Sequence, residues 1–137
     1  MTEIVIDNGV SESDMTVLDM TRFSRLRSLI VGNHCFSYVT TVNITGLTEL
    51  RTVVIGNYSF TKEKSSWGYD SERRFYLKNC LSLIELSIGY RSFSDYGVIE
   101  IENVDALETI RMNAENWGSF SFYSASLELK SIVIHSE

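Results

Sequence analysis

The amino-acid sequence predicts a mostly-β solenoid of about five turns, with two short strands in each turn and little helix. Three observations support this prediction. A leucine-headed segment recurs about every 24 residues, apolar and polar residues alternate within the segments, and glycine follows three of the strand-like runs. One turn of this size cannot bury its own apolar face, so the turns are expected to stack on one another.

The first strand of each predicted turn lies in a segment with the pattern Leu-x-x-(Leu/Val/Ile)-x-(Ile/Val/Met). Successive copies start 24, 33, 24 and 22 residues apart, and the interval of 33 holds nine extra residues. Alternation with a period of two at the end of each copy indicates a strand rather than a helix. The copies start at Leu26, Leu50, Leu83, Leu107 and Leu129.

A glycine and a buried aromatic residue follow the first strands. The glycine permits a tight turn, and the phenylalanine four residues later is expected to fill the interior. The glycines are Gly32, Gly56 and Gly89, and the aromatic residues are Phe36, Phe60, Phe93 and, in the same slot of a later copy, Trp117.

The second strand of each turn is predicted from a shorter alternating segment. Val42 and Ile44 are expected to point inward while Asn43 and Thr45 point outward. The same frame fits residues 18–26, 75–83 and 99–107. The chain is therefore predicted to be one domain, 1–137, with turns at approximately 2–25, 26–49, 50–82, 83–106 and 107–128, a partial turn at 129–137, and an inserted loop near 61–74.

These segments resemble leucine-rich repeats, and the Ile-Gly-x-x-Ser-Phe ending of the first segments is most similar to the BspA-like branch of that family. The resemblance covers nearly the whole chain and implies a right-handed leucine-rich-repeat-type solenoid. It also implies a ladder of asparagine side chains, but the ladder position holds His34, Tyr58, Arg91 and Glu115 here. Asn33 and Asn57, one position earlier, are expected to take over part of that role.

The composition and the net charge argue against some classes of partner. The net charge of −6 argues against nucleic acid as a partner, because nucleic-acid-binding domains carry a basic face. No apolar run is long enough to cross a membrane, and no signal peptide is visible at the N-terminus. We therefore predict no membrane insertion. The compartment is unknown, and an extracellular or cell-surface location stays open if the chain is part of a longer one.

No catalytic, cofactor or metal site is predicted. The usual nucleotide-binding, hydrolase and metalloprotease motifs are missing. His34 and Cys35 are neighbours, but adjacent strand residues point to opposite faces. Glu100 and Glu102 share an outward face without a pocket that would raise the pKa of either carboxyl. Cys35 and Cys80 are expected to be small buried thiols.

Two kinds of interaction surface are predicted. The outward face of the first strands and the insert are candidates for binding a protein partner, since aromatic and arginine side chains dominate binding hot spots. The apolar residues of the first and last strands are candidates for contact between copies. The face and insert candidates are Ile30, Val54, Arg111, Val133, Trp67, Tyr69 and Arg73, and the candidates for end-to-end contact are Ile4, Ile6, Ile132 and Ile134.

Two sequons, at Asn43 and Asn57, would accept a glycan in a secreted eukaryotic chain, and Asn43 is the more accessible by pattern. The predicted function is a non-catalytic protein-interaction or structural solenoid that self-associates end to end through uncapped terminal strands. The alternative is a ligand-recognition segment of a larger leucine-rich-repeat surface protein. In both cases the expected partner is a protein, either another copy or a different chain.

Overall fold

A computed structural model describes residues 2–62, 70–112 and 126–130. These residues form ten β-strands and contain no helix. The strands are β1 (Glu3–Ile6), β2 (Val17–Asp19), β3 (Ser28–Val31), β4 (Thr41–Thr45), β5 (Thr52–Ile55), β6 (Asp70–Lys78), β7 (Glu85–Ile88), β8 (Tyr96–Glu102), β9 (Thr109–Met112) and β10 (Ser126–Lys130). The prediction of a mostly-β chain with little helix agrees with the described part of the structure.

The strands form two five-stranded sheets, and every strand pairing among the described residues is parallel. The first sheet has the order β1-β3-β5-β7-β9, and the second has the order β10-β8-β6-β4-β2. Successive strands along the chain therefore alternate between the sheets. Among the described strands neither sheet closes into a barrel, because the first sheet runs from β1 to β9 and the second from β2 to β10.

The register in the first sheet matches the alignment of the leucine-headed segments. Leu29 pairs with Val53, Val53 with Leu86 and Leu86 with Ile110. Apolar side chains at these positions form a column, because residues in register on parallel strands point to the same face. The column is buried at Leu29, Val53 and Leu86.

The register of β10 differs from the sequence alignment. The alignment placed Leu129 beside Leu107, at the start of a partial turn, but β10 pairs with β8 in the second sheet, with Leu129 beside Ile101. The physical reason is that Ser-Leu-Glu-Leu-Lys alternates with the same period as Val-Ile-Glu-Ile-Glu in β8. The alternation fits a second-sheet strand as well as a leucine-headed one.

Side chains link successive turns at the corner, which is the bend that follows each strand of the first sheet. The backbone N–H groups of Asn33, Asn57 and Tyr90 donate to the side-chain oxygens of Asn8, Asn33 and Asn57, at 2.7, 2.8 and 2.8 Å. The sequence predicted Asn33 and Asn57 in this ladder, and it missed Asn8. Each asparagine thus holds the turn that follows it.

A second ladder at the same corner runs in the opposite direction. The backbone N–H groups of Cys35 and Ser59 donate to the hydroxyls of Ser59 and Ser92, at 3.2 and 3.0 Å. The two hydroxyls donate in turn to the carbonyls of Gly32 and Gly56. Cys35 takes the serine position of its own turn, where its thiol donates to the Asp7 carbonyl at 3.1 Å. The predicted burial of Cys35 and Cys80 is confirmed.

The glycines after the first strands are required for a reason that the sequence did not reveal. They do not adopt a positive φ; instead, each lies against the peptide group of the preceding turn. A Cβ atom on Gly56 would lie 2.5 Å from the Gly32 carbonyl oxygen and 2.6 Å from its carbon, and one on Gly89 would lie 2.5 Å from the Asn57 nitrogen. The positive φ angles fall instead on larger residues, including Phe36, Phe60 and Phe93.

These three phenylalanines fill the interior, as predicted. All are buried, and their rings form a column with centroids 5.2 Å apart between Phe36 and Phe60 and 4.6 Å apart between Phe60 and Phe93. Contacts at these separations are favourable for aromatic rings. They compensate for the left-handed backbone that each phenylalanine adopts, which bulky residues seldom do.

Candidate functional site

The apolar columns of the first sheet are exposed at β9, the last strand of this sheet among the described residues. Ile110 is in register with the buried Leu86, and Met112 is in register with the buried Ile88. Ile110 and Met112 are nevertheless 40% and 38% exposed. An apolar side chain in a core position gains little from the hydrophobic effect when no neighbour covers it.

The opposite edge is formed by β1 and β2, each of which pairs with a single strand within the described part of the chain. Ile4 and Ile6 pack against the core but are only half-buried. Val17 on β2 is 55% exposed, and a cleft of about 460 Å³ lies beside it, lined by residues 15 and 17–23. Ile4 and Ile6 thus lie on an edge strand of the described sheet, and their part in end-to-end contact stays a prediction, whereas Ile132 and Ile134 lie outside the described residues.

The outward face of the first sheet is apolar at one end and charged at the other. Val5, Ile30 and Val54 are in register, and Val5 is exposed while Ile30 and Val54 are half-buried. Further along the same row, Arg111 forms an ion pair with Glu85, with Nε and Oε2 3.3 Å apart. The structure therefore brings Ile30, Val54 and Arg111 onto one face, while Val133 lies outside the described residues.

Arg73 is not an exposed contact residue, which corrects its proposed place in the surface loop. Its side chain is 3% exposed, and its guanidinium donates to the carbonyls of Ser37 and Val39, at 3.0 and 3.4 Å. The guanidinium also lies 3.8 Å from a carboxylate oxygen of Asp95. A guanidinium that is buried and already bonded in this way cannot anchor a partner at the surface.

The insert is shorter than predicted at its C-terminal end, because β6 begins at Asp70 and takes residues 70–74 into the second sheet. A register shift between Asp70 and Arg74 lets the strand continue there. Trp67 and Tyr69, the proposed aromatic contacts of the insert, lie outside the described residues.

The outward face of the second sheet carries a charged cluster. Lys78 donates to a carboxylate oxygen of Glu100 at 2.6 Å and lies 3.8 Å from one of Glu102. The hydrogen bond to Glu100 raises the pKa of Lys78 above its ordinary value. The two glutamates are thus bridged by a cation on an open strand face.

The corner that holds His34 and Cys35 separates these two side chains. The His34 ring is exposed and stacks on the Tyr58 ring, with centroids 5.1 Å apart, whereas Cys35 is buried. At the sequons, the Asn43 side-chain oxygen accepts from the Thr45 hydroxyl, and the Asn57 oxygen accepts from the Tyr90 N–H. Both asparagines are half-buried, and their use as glycan acceptors stays a prediction.

Within residues 2–62, 70–112 and 126–130, no group of three or more His, Cys, Asp or Glu side chains is placed to hold a metal ion. No helix in this part of the chain could span a membrane. Comparison with family models, curated proteins and solved structures gave no match to this chain.

Proposed function

We propose that the chain is a right-handed leucine-rich-repeat-type solenoid of about five turns that acts as a non-catalytic scaffold for protein interaction. In this proposal, copies associate end to end, with the edge at β9 and β10 of one copy against the edge at β1 and β2 of the next. The solenoid is supported by the alternation of successive strands between two parallel sheets and by the constant register of the first sheet. Contacts of this head-to-tail type generate open chains of subunits.

One observation carries the proposal: residue columns that are buried in the middle of the first sheet are exposed at its edge. Ile110 and Met112 continue the columns of Leu86 and Ile88 without being covered. A strand placed in register about 4.8 Å beyond β9 would cover both side chains and pair with the backbone of β9. The half-buried Ile4 and Ile6 offer a matching apolar edge on β1.

Charged substitutions at the two edges test this association. Lys in place of Ile110 or of Ile4, which lie at the two ends of the same column, puts a cation into the contact from one side, so each variant alone is expected to remain monomeric by sedimentation velocity. Mixing Ile110→Lys with Ile4→Lys leaves one intact edge on each copy, so the mixture is expected to form a dimer that does not grow further.

The matched control is Val54→Lys, which makes the same substitution on the outward face and leaves both edges unchanged. Its association is expected to equal that of the wild-type chain. A wild-type chain that stays a compact monomer at high concentration would contradict the proposal. Association that Val54→Lys abolishes and Ile110→Lys does not would contradict it as well.

The second candidate is recognition of another protein through the outward face of the first sheet. It is favoured by the in-register row of Val5, Ile30 and Val54, an apolar stripe on an otherwise polar face. Exposed apolar stripes bordered by polar residues are typical of interaction sites. For this function Val54→Lys is the disruptive variant and Ile110→Lys is the control, which reverses the pattern expected for end-to-end association.

A further inference from the structure

Asn8 is the one asparagine in the 137 residues that is followed by glycine. The other two asparagines of the ladder are followed by His34 and Tyr58. Asn8 and Gly9 are both exposed, at the corner that follows β1. Asn-Gly pairs are prone to a spontaneous reaction, because glycine has no side chain to keep its peptide nitrogen away from Cγ, the amide carbon of the asparagine.

This reaction needs water and no other reagent. The Gly9 nitrogen loses its proton to hydroxide and forms a bond to Cγ of Asn8. The bond from Cγ to Nδ2 then breaks, and Nδ2 takes a proton from water and leaves as ammonia. Water opens the cyclic imide that results. Opening at Cγ gives aspartate, whereas opening at the main-chain carbonyl of residue 8 gives isoaspartate, in which the main chain runs through Cγ.

Both reacting groups of Asn8 and Gly9 are bonded to Asn33 of the next turn. The Asn8 side-chain oxygen accepts the Asn33 N–H at 2.7 Å, and the Gly9 N–H donates to the Asn33 carbonyl at 2.8 Å. While these bonds hold, the nitrogen that must attack is occupied as a donor, and the amide that it must attack is fixed in place. The first turn must therefore separate from the second before the imide can form.

The first turn can separate while the inner turns stay folded. β1 pairs with a single strand in the described part of the chain, and its Ile4 and Ile6 side chains are only half-buried. A terminal repeat contacts one neighbour, and such elements open locally at a lower free energy than the whole fold. Asn33 and Asn57 belong to inner turns and are half-buried, so their protection is greater.

We propose that Asn8 is a site of spontaneous modification, where asparagine becomes aspartate or isoaspartate when the first turn opens, at a rate limited by the two hydrogen bonds to Asn33. Aspartate keeps an oxygen that can accept the Asn33 N–H. Isoaspartate adds one carbon atom to the main chain before Gly9, which displaces the Gly9 N–H from the Asn33 carbonyl. The isoaspartate form of the first turn therefore stays open. This inference is independent of end-to-end association.

The test incubates the full chain at mildly alkaline pH, folded and in urea, and follows each asparagine by digestion and mass spectrometry. Chromatography against synthetic peptides separates aspartate from isoaspartate. Because two hydrogen bonds must open first, Asn8 is expected to convert about tenfold more slowly in the folded chain than in urea. In the folded chain it is still expected to convert faster than Asn33 and Asn57.

The matched control is Gly9→His, which gives the first turn the Asn-His pair of the second. His34 has a φ of +57° at the equivalent position, and no atom lies within 4 Å of a Cβ built on Gly9, so the variant is expected to fold. Its Asn8 is expected to convert far more slowly than that of the wild-type chain. The comparison in urea shows this difference whether or not the variant folds.

A second variant, Ile6→Ala, loosens the packing of β1 and leaves the Asn-Gly pair unchanged. It is expected to convert faster than the wild-type chain when folded and at the same rate in urea. The site is wrong if Asn8 stays intact, if Gly9→His converts as fast as the wild-type chain in urea, or if Asn33 converts as fast as Asn8. Protection by Asn33 is wrong if folding does not slow the reaction, or if Ile6→Ala does not accelerate it. None of these readouts depends on whether copies associate.

Discussion

Arg73 and Asp95 form a buried ion pair, with Nη1 and Oδ2 3.8 Å apart and both side chains 3% exposed. The same Asp95 oxygen accepts the backbone N–H of Lys62 at 3.1 Å. One carboxylate therefore contacts residues on both sides of the insert, Lys62 before it and Arg73 after it. The other oxygen, Oδ1, is buried without a hydrogen-bond partner, so the pair is not fully compensated for its loss of hydration.

Removing one member of this pair is expected to be strongly destabilising. Asp95→Ala leaves the guanidinium of Arg73 buried without its carboxylate, at an expected cost of about 3–5 kcal/mol in the free energy of unfolding. Urea unfolding followed by circular dichroism measures this cost. The double variant Arg73→Met, Asp95→Ala is expected to lose less than the two single variants together, and strict additivity would show that the two side chains are not coupled.

The asparagine ladder predicts a loss of stability at Asn33. Asn33→Ala leaves the N–H of Asn57 without its acceptor, which is expected to cost about 1–3 kcal/mol. Asn33→Asp keeps an oxygen in the same place and serves as the control. Equal urea midpoints for the wild-type chain and Asn33→Ala would mean that the ladder bond contributes nothing to stability.

Three substitutions at two glycines separate the cost of a close approach from the cost of backbone conformation. Gly56→Ala drives a Cβ atom into the carbonyl of Gly32, so a loss of about 3 kcal/mol or more is expected. Gly46 has a φ of +73° and no atom near its would-be Cβ, so Gly46→Ala is expected to cost only about 1–2 kcal/mol, from backbone strain. Gly46→Asn is expected to cost less still, because Asn79 and Asn103 have positive φ at the equivalent positions. The order of the three urea midpoints checks this prediction.

Burial raises the pKa of the Cys80 thiol above its ordinary value. Only the thiolate reacts with disulfide reagents, so Cys80 is expected to react far more slowly in the folded chain than in urea. Cys35→Ser isolates the Cys80 signal and is expected to fold, since Ser59 and Ser92 occupy the same position in later turns. Equal rates with and without urea would contradict the burial of this thiol.

Because folding raises the pKa of Cys80, the stability of the folded chain depends on pH. The folded chain holds the proton above the pH at which the unfolded chain releases it. The contribution of Cys80 is therefore fully present below the unfolded-state pKa and is lost as the pH rises through the folded-state pKa. Two chains test this: the Cys35→Ser variant, which keeps Cys80, and the double variant Cys35→Ser, Cys80→Ser. Between neutral and alkaline pH the double variant is expected to lose less stability than the single variant, as measured by urea unfolding.

The sequence predicted the first sheet better than it predicted the corner and the insert. The register of Leu29, Val53 and Leu86 follows from local alternation, which each segment carries by itself. The burial of Arg73 depends on Asp95, a residue of a later turn, and arginine is rarely buried unless it is paired. The register of β10 could not be decided from alternation alone, because its pattern also fits β8.

The sequence predicted where the edge at β1 lies, but it did not predict how closely successive turns approach each other. Ile4 and Ile6 could be placed on an open edge because their segment repeats that of the inner strands. The close approach at Gly32, Gly56 and Gly89 could not be predicted, because a glycine after a strand indicates in sequence only a turn. Local pattern specifies which residues share a column, and the distance between turns decides which side chains that column tolerates.

The two side-chain ladders bear on how the chain unfolds. Asn8, Asn33 and Asn57 hold N–H groups of the turn that follows, and Ser59 and Ser92 hold N–H groups of the turn that precedes. Losing any one inner turn would leave unpaired donors in both of its neighbours. The chain entropy gained by unfolding one inner turn is therefore small compared with the free energy of the hydrogen bonds that are lost. The inner turns should therefore melt in a single cooperative step rather than peel away one at a time.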